Sequence, residues 1–309
     1  MTKSKMDNNK KNNKLIKFLY GLIIAIITVT YLFIVSETEV IGKVLGFVVY
    51  FFITAFALYE FTRIFPLPNW AKYYFPFFAI FSFFFPFHNV VDWFNIEQFP
   101  NQYIIDQYEY KMFGIPGLGF GVIAILCLIP FFFENKLLKT KIQHYFMTYF
   151  VTLMITIVGK CLLLLNRTDV LFIIAIFIGT AVCDSFAYFG GMLLGNKIFK
   201  NKKLAPKISP NKTIEGAIIG YLVSWLIMFC VFMFLEFDNL NIDSDLLIIF
   251  VPLTLPIVAI LGDLLFSWIK RKLRVKDFSN LIPSHGGILD RIDSILFVSF
   301  VFIPLFMVI

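Results

Sequence analysis

Residues 170–194 read VLFIIAIFIGTAVCDSFAYFGGMLL, an apolar run interrupted by one charged side chain, Asp184. A bilayer-crossing helix needs about 20 mostly apolar residues, so this stretch is long enough to span a membrane unaided. An ionised group at mid-membrane costs about 2.5–3.5 kcal/mol on insertion scales, so Asp184 needs a partner or a task. Comparable runs recur on both sides, and we place about nine spans at 15–35, 42–64, 73–91, 113–133, 145–165, 170–194, 213–235, 246–268 and 290–309. The chain of 309 residues is 59% hydrophobic and 15% charged, with 41 Phe, more apolar surface than a soluble core can hide. The expected fold class is all-α, a polytopic transmembrane helix bundle without the internal repeat of many transporters.

The connections between these runs alternate in charge. Basic segments are the N-terminal tail and those around Arg63 and Lys72, at Lys136 to Lys141, at Lys197 to Lys212 and at Lys270 to Lys276, whereas the loops between them are neutral to acidic. If every basic loop is cytoplasmic, the span count is odd, with the N-terminus inside and the C-terminus outside. That explains the net charge of +7 without a nucleic-acid partner, because the basic residues form no separate domain or helix face. The Lys- and Asn-rich residues 1–14 read as a disordered cytoplasmic tail, and 15–309 as one integral membrane domain with N-terminal spans 15–165 and catalytic spans and loops 170–309. The first run, 15–35, outlasts a secretory h-region and lacks a small-residue cleavage site, so a retained span is expected. Cys127, Cys161, Cys183 and Cys230 all fall inside apolar runs, without CxxC spacing, and read as packing residues. Lys160 and His88 lie toward the opposite face and read as snorkelling or packing residues. Pro252 and Pro256 should bend the eighth span.

The remaining intramembrane acids share a depth. Asp184, Glu215, Asp263, Asp290 and Asp293 all fall near the cytoplasmic ends of spans six to nine on this topology. Asp263 and Ser267 are four apart and Asp290 and Asp293 three apart, so each pair lines one helix face. Carboxylates gathered at low dielectric repel one another unless a hard cation sits among them, and Mg²⁺ takes carboxylate oxygens while keeping positions open for phosphate. Helix-dipole placement alone would suit Glu215, Asp290 and Asp293 in first turns, but not Asp184 and Asp263 near C-terminal ends.

From Ser267 the chain continues SWIKRKLRVKDFSNLIPSHGGILDRID. Lys270, Arg271, Lys272, Arg274 and Lys276 open a basic segment, and Pro283, His285, Gly286 and Gly287 form a tight one whose backbone amides are expected to approach a phosphate. Basic charge alone would serve topology or anionic lipid. Combined with the acidic pair that follows, it reads as phosphoryl-transfer equipment.

This stretch resembles the signature of the phosphatidate cytidylyltransferase (CDP-diglyceride synthase) family, with Ser267, Lys270, Arg271, Lys276, Asp277, Ser279, Ile282, Pro283, His285, Gly286, Gly287, Ile288, Asp290, Arg291, Ile292 and Asp293 in register. Asp184, Ala187, Tyr188, Gly190 and Gly195, then Ser209, Pro210, Lys212, Thr213, Glu215 and Gly216, resemble two further blocks. Gly191 and Asn211 depart from basic residues common there, and before residue 180 the likeness is only hydropathic. The resemblance implies transfer of CMP from CTP to phosphatidic acid, giving CDP-diacylglycerol and pyrophosphate, with Mg²⁺ and with a second, monovalent cation left open. It also implies Asp263, Asp290 and Asp293 as metal ligands, with Asp184 as a further ligand or a supporting partner. Lys212, Lys270, Arg271, Lys276 and Arg291 would hold phosphates, with Gly286 and Gly287 beside them. His285 would donate to a phosphate oxygen or fix its loop; Ser267 is a phosphate or metal contact, or a packing hydroxyl. The expected partners are CTP, phosphatidic acid and membrane lipids, with a homodimer left open, in a bacterial plasma membrane with the site facing the cytoplasm. Two rival readings are a CTP-dependent polyprenol or phytol kinase, which would release CDP, and a transporter with an intramembrane cation site.

Overall fold

A computed structural model describes residues 21, 23, 25–38, 40–65, 69–81, 139–195, 197–199, 202–235, 244–279, 281 and 286–308. Its helices are α1 Ala25–Glu37, α2 Val40–Ile64, α3 Asn69–Phe81, α4 Lys139–Thr168, α5 Val170–Leu194, α6 Ile214–Phe234, α7 Ser244–Lys272 and α8 Leu289–Val308. Among the described residues, five of these helices are long and apolar enough to cross a membrane. The expected span at 113–133 lies outside the described residues, as do Cys127, His88 and the whole stretch 82–91.

Lipid-facing stripes are visible on the outer helices. Val44, Val48, Phe52 and Phe56 on α2, and Ile249, Leu253, Ile257 and Leu261 on α7, recur every fourth residue and are exposed. Exposed apolar rows on successive turns would aggregate in water and are at home in acyl chains. Inside, one core joins Leu58 and Phe61 of α2, Val151 and Met154 of α4, and Phe266 of α7 to Phe278 and Leu289. A second joins Phe172 and Ile176 of α5, Met228 of α6 and Leu255 of α7 to Val298 and Phe302 of α8.

Small residues set the tightest helix pair. Gly216 and Gly220, one turn apart on α6, face Ala187 and Cys183 on α5: a Cβ at Gly216 would lie 2.4 Å from the Ala187 carbonyl oxygen, and one at Gly220 2.6 Å from that of Cys183. Apolar burial gives no driving force between helices in lipid, so close backbone approach and interhelical hydrogen bonds hold them. Ser224 Oγ adds one, donating to the Gly179 carbonyl at 2.8 Å. Asp169 alone separates α4 from α5: its amide donates to Leu165 O and its Oδ1 caps α5 by accepting from Phe172 N at 3.0 Å.

Three local expectations change. The basic segment 197–212 contains a short antiparallel ribbon, β1 Lys203–Ala205 with β2 Ser209–Thr213, so the bundle is not wholly helical. Lys270, Arg271 and Lys272 are not loop residues but the last turn of α7, where cations suit the helix dipole. That helix ends with Arg274 in the left-handed region (φ 57°), Val275 N donating to Lys270 O and Arg274 N to Arg271 O. Lys160 is buried in the bundle, so packing rather than snorkelling describes it. Cys161 and Cys183 are buried and unoxidised, in keeping with packing, whereas Cys230 is exposed.

Candidate functional site

The site lies where the C-terminal ends of α5 and α7 meet the N-terminal end of α8 and the ribbon before α6. Thr213 ends β2 and caps α6, its Oγ1 accepting from Gly216 N at 3.1 Å. Lys212, one residue earlier, therefore projects from the ribbon onto α7, where its Nζ donates to Asp263 Oδ2. Ser267, one turn on, donates to Asp263 Oδ1 at 3.3 Å. Asp184 of α5 faces the same charges: its electrostatic neighbours are Asp263, Lys212 and Asp293.

A second ion-pair cluster abuts the first. Lys270 Nζ donates to Asp290 Oδ1 at 3.0 Å and to Asp293 Oδ2 at 3.3 Å, and lies 5.2 Å from the Phe278 ring centroid. Both carboxylates are almost fully enclosed, the Asp290 side chain 5% exposed and that of Asp293 12%. Charges this buried persist because they are paired and hydrogen-bonded. The other oxygens are also used: Asp290 Oδ2 accepts from Phe278 N at 2.8 Å and Gly287 N at 3.0 Å, and Asp293 Oδ1 from Ser294 N at 2.8 Å.

Asp184, Asp263, Asp290, Asp293, Ser267, Lys212 and Lys270 thus share one charged region. Arg271 has another job in this structure: Nε donates to Ile208 O and Nη1 to Val275 O, tying the ribbon's turn to the end of α7. Lys276 and Arg291 are exposed at the rim. Gly286 has φ +84°, which favours glycine; at Gly287 a Cβ would lie 2.8 Å from both Glu60 Oε2 and Ser279 Oγ. Of the amides expected to approach a phosphate, that of Gly287 is already partnered by Asp290, and the two that follow, of Ile288 and Leu289, are taken by Glu60. His285 lies outside the described residues.

One acid escaped the sequence reading of this region. Glu60, 4% exposed in α2, accepts from Ser279 Oγ at 2.6 Å, Ile288 N at 3.2 Å and Leu289 N at 2.9 Å. Its signal was an acid inside the second apolar run, the same cue that marked Asp184. Glu215, read only as one of the shared-depth acids, is buried and accepts from Phe199 N at 2.9 Å, so it pins the segment after α5.

Oxygen donors from three helices, influencing one another's charge, are what a hard divalent cation takes. Among the described residues no three acidic, His or Cys side chains stand close enough to share one ion, and Lys212 and Lys270 engage the carboxylates instead. Chemically, the region offers anions and cations in alternation, with exposed lysine and arginine at its rim, an arrangement suited to a polyphosphate accompanied by a cation.

The cytidylyltransferase family model matches residues 17–309. The chain is 36% identical over 185 residues to a phosphatidate cytidylyltransferase of Rickettsia typhi, covering 59% of this chain and 79% of the relative. To the phosphatidate cytidylyltransferase of Staphylococcus haemolyticus it is 33% identical over 211 residues, 61% of this chain and 78% of the relative. To that of Bacillus subtilis it is 34% identical over 196 residues, 62% and 69% respectively.

Proposed function

Because this chain belongs to the cytidylyltransferase family, we propose that it transfers CMP from CTP to phosphatidate, releasing pyrophosphate and leaving CDP-diacylglycerol in the membrane. The observation that carries the reading is the joined acidic and basic region at one end of α5, α7 and α8, built largely from the residues of the family signature.

The bond that forms joins a phosphatidate oxygen to the α-phosphorus of CTP; the bond that breaks is the one to the bridging oxygen of the pyrophosphate leaving group. No protein nucleophile is needed. Lys212 and Lys270 would exchange their carboxylate partners for phosphate oxygens, while Lys276 and Arg291 at the rim would draw in the triphosphate. Arg271 serves by holding the ribbon that carries Lys212 against α7, and Ser267 by orienting Asp263. Mg²⁺, which takes one or two carboxylates together with substrate phosphates, would draw its protein ligands from Asp184, Asp263, Asp290 and Asp293, and when bound would neutralise charge on the triphosphate. Gly286 and Gly287 shape the loop in front of Asp290.

The reaction also needs a side. The basic ribbon and the last turn of α7 lie at the same end as the acids, which supports a cytoplasmic site, a cytoplasmic N-terminus and a plasma-membrane location. In sealed right-side-out vesicles, CTP loaded inside should give labelled lipid and one pyrophosphate per lipid, whereas external CTP should give neither. Release of CDP instead would favour a lipid kinase, and product from external CTP would reverse the orientation.

A further inference from the structure

We infer that Glu60 is a positioning residue for the transfer, through which the N-terminal spans hold the first turn of α8 in register with the rest of the site. The inference rests on the activity proposed above and concerns a residue well outside the signature. Glu60 sits on α2 four residues before its end, yet its carboxylate closes on three donors from the far end of the chain: Ser279 Oγ, Ile288 N and Leu289 N. The Leu289 amide opens α8 and the Ile288 amide comes just before it, where no carbonyl within the helix takes either. Glu60 is thus an N-terminal cap supplied from another helix, and its negative charge lies at the positive end of the α8 dipole.

What the cap holds is the site itself. Asp290 and Asp293 follow Leu289 by one and four residues, and Asp290 in turn takes Gly287 N and Phe278 N. Ser279 joins Glu60 to the strand of chain leaving α7, so one carboxylate braces both sides of the 279–287 segment. Gly287 leaves no room for a side chain between them. The apolar floor beneath is shared: Phe61, next to Glu60, packs its ring 6.0 Å from that of Phe278, and Leu58 and Leu289 belong to the same core. Rotation of α8 by a fraction of a turn would move Asp290 and Asp293 off Lys270, and misplacement of about 1 Å in a phosphoryl-transfer site costs about 100-fold in rate.

Glu60→Gln is the informative change. It keeps the size, but one of the two oxygens becomes an NH₂ that must face Ile288 N or Leu289 N, donor against donor. In full-length protein in lipid nanodiscs, the variant should lose hydrogen-exchange protection at Ile288 and Leu289. It should show kcat reduced about 10–100-fold, the KM for CTP within about 3-fold of the parent, and a raised Mg²⁺ midpoint. Ser279→Ala, which leaves both amide contacts in place, should shift the same quantities in the same direction by a few-fold and covers the case in which Glu60→Gln does not fold. A variant that merely melts earlier, with parental kcat per folded molecule, parental Mg²⁺ midpoint and unchanged exchange at Ile288 and Leu289, overturns the inference. Parental protein that makes no lipid product removes the activity reading and the positioning role with it, whereas the exchange experiment separately reports whether the cap exists.

Discussion

Lys270 holds together two carboxylates that would otherwise repel each other in an enclosed site. Removing one member of a buried charge cluster strands the rest, which costs more than the pairing itself contributes. Lys270→Met should therefore lower stability by about 3 kcal/mol, the lower end of the cost of breaking a buried pair. It should also abolish lipid synthesis; a thermal melt in detergent checks the first and a product assay the second. An unchanged melting midpoint would mean that Asp290 and Asp293 are satisfied by the loop amides alone. At this scale the residue types of the site were legible in the sequence, because intramembrane acids and a His-Gly-Gly segment are rare enough to stand out. Their partners were not. Gly286 and Gly287 read as phosphate-facing, but their placement follows from a left-handed φ at one and the closeness of Glu60 and Ser279 at the other. Glu60 was missed because the acids weighed were those of spans six to nine, although it obeyed the same rule as Asp184.

Hydropathy located most of the helices to within a few residues, since each apolar run has to match the membrane and stops where charge begins. The exceptions are physical. Helix α7 runs to Lys272 rather than 268, because lysine and arginine are good helix formers whose charge suits a C-terminus. Helix α3 starts at Asn69 rather than 73, with Pro76 inside it. The ribbon went unseen because strands of 3 and 5 residues, rich in Lys and Pro, show no apolar alternation. Helix pairing was not legible from composition either; it depends on which faces the small residues share. Gly220 on α6 lies against the α5 backbone, so Gly220→Leu should push the two helices apart. The expected outcome is a loss of about 2–3 kcal/mol by overpacking and lower activity, since Asp184 lies on α5 and Lys212 on the ribbon strand that leads into α6. Circular dichroism melts in detergent would check it, and a melt like the parent's would remove the seam from the account.

Among the described residues, apolar stripes lie outside, apolar cores lie between the helices, and the carboxylates and lysines of the site gather at one end, whereas Asp169 and Lys160 lie apart from them. The chemistry of a lipid headgroup meeting a water-soluble nucleotide needs such an arrangement, with acyl chains free to remain in the bilayer while charge is handled at its surface. The N-terminal spans, to which the sequence lent only hydropathy, join this plan through Glu60 and Phe61. Alternate loop charge places the expected active end with the basic loops, because topology and phosphate binding both draw on lysine and arginine. It could not say that the last turn of α7 and the ribbon would be tied by Arg271, a contact between segments 63 residues apart.

The most direct measurement of the central claim uses CTP labelled at one phosphate at a time, given with phosphatidate and Mg²⁺ to the purified protein and to its Asp263→Asn variant. The account predicts that α-labelled CTP places label in the chloroform-soluble lipid, that γ-labelled CTP leaves all of its label in aqueous pyrophosphate, and that the variant forms at least 100-fold less lipid product, the scale of loss when an electrostatic contact at the reacting phosphate is removed. Label from the γ-phosphate in the lipid, or a variant as active as the parent, would contradict it.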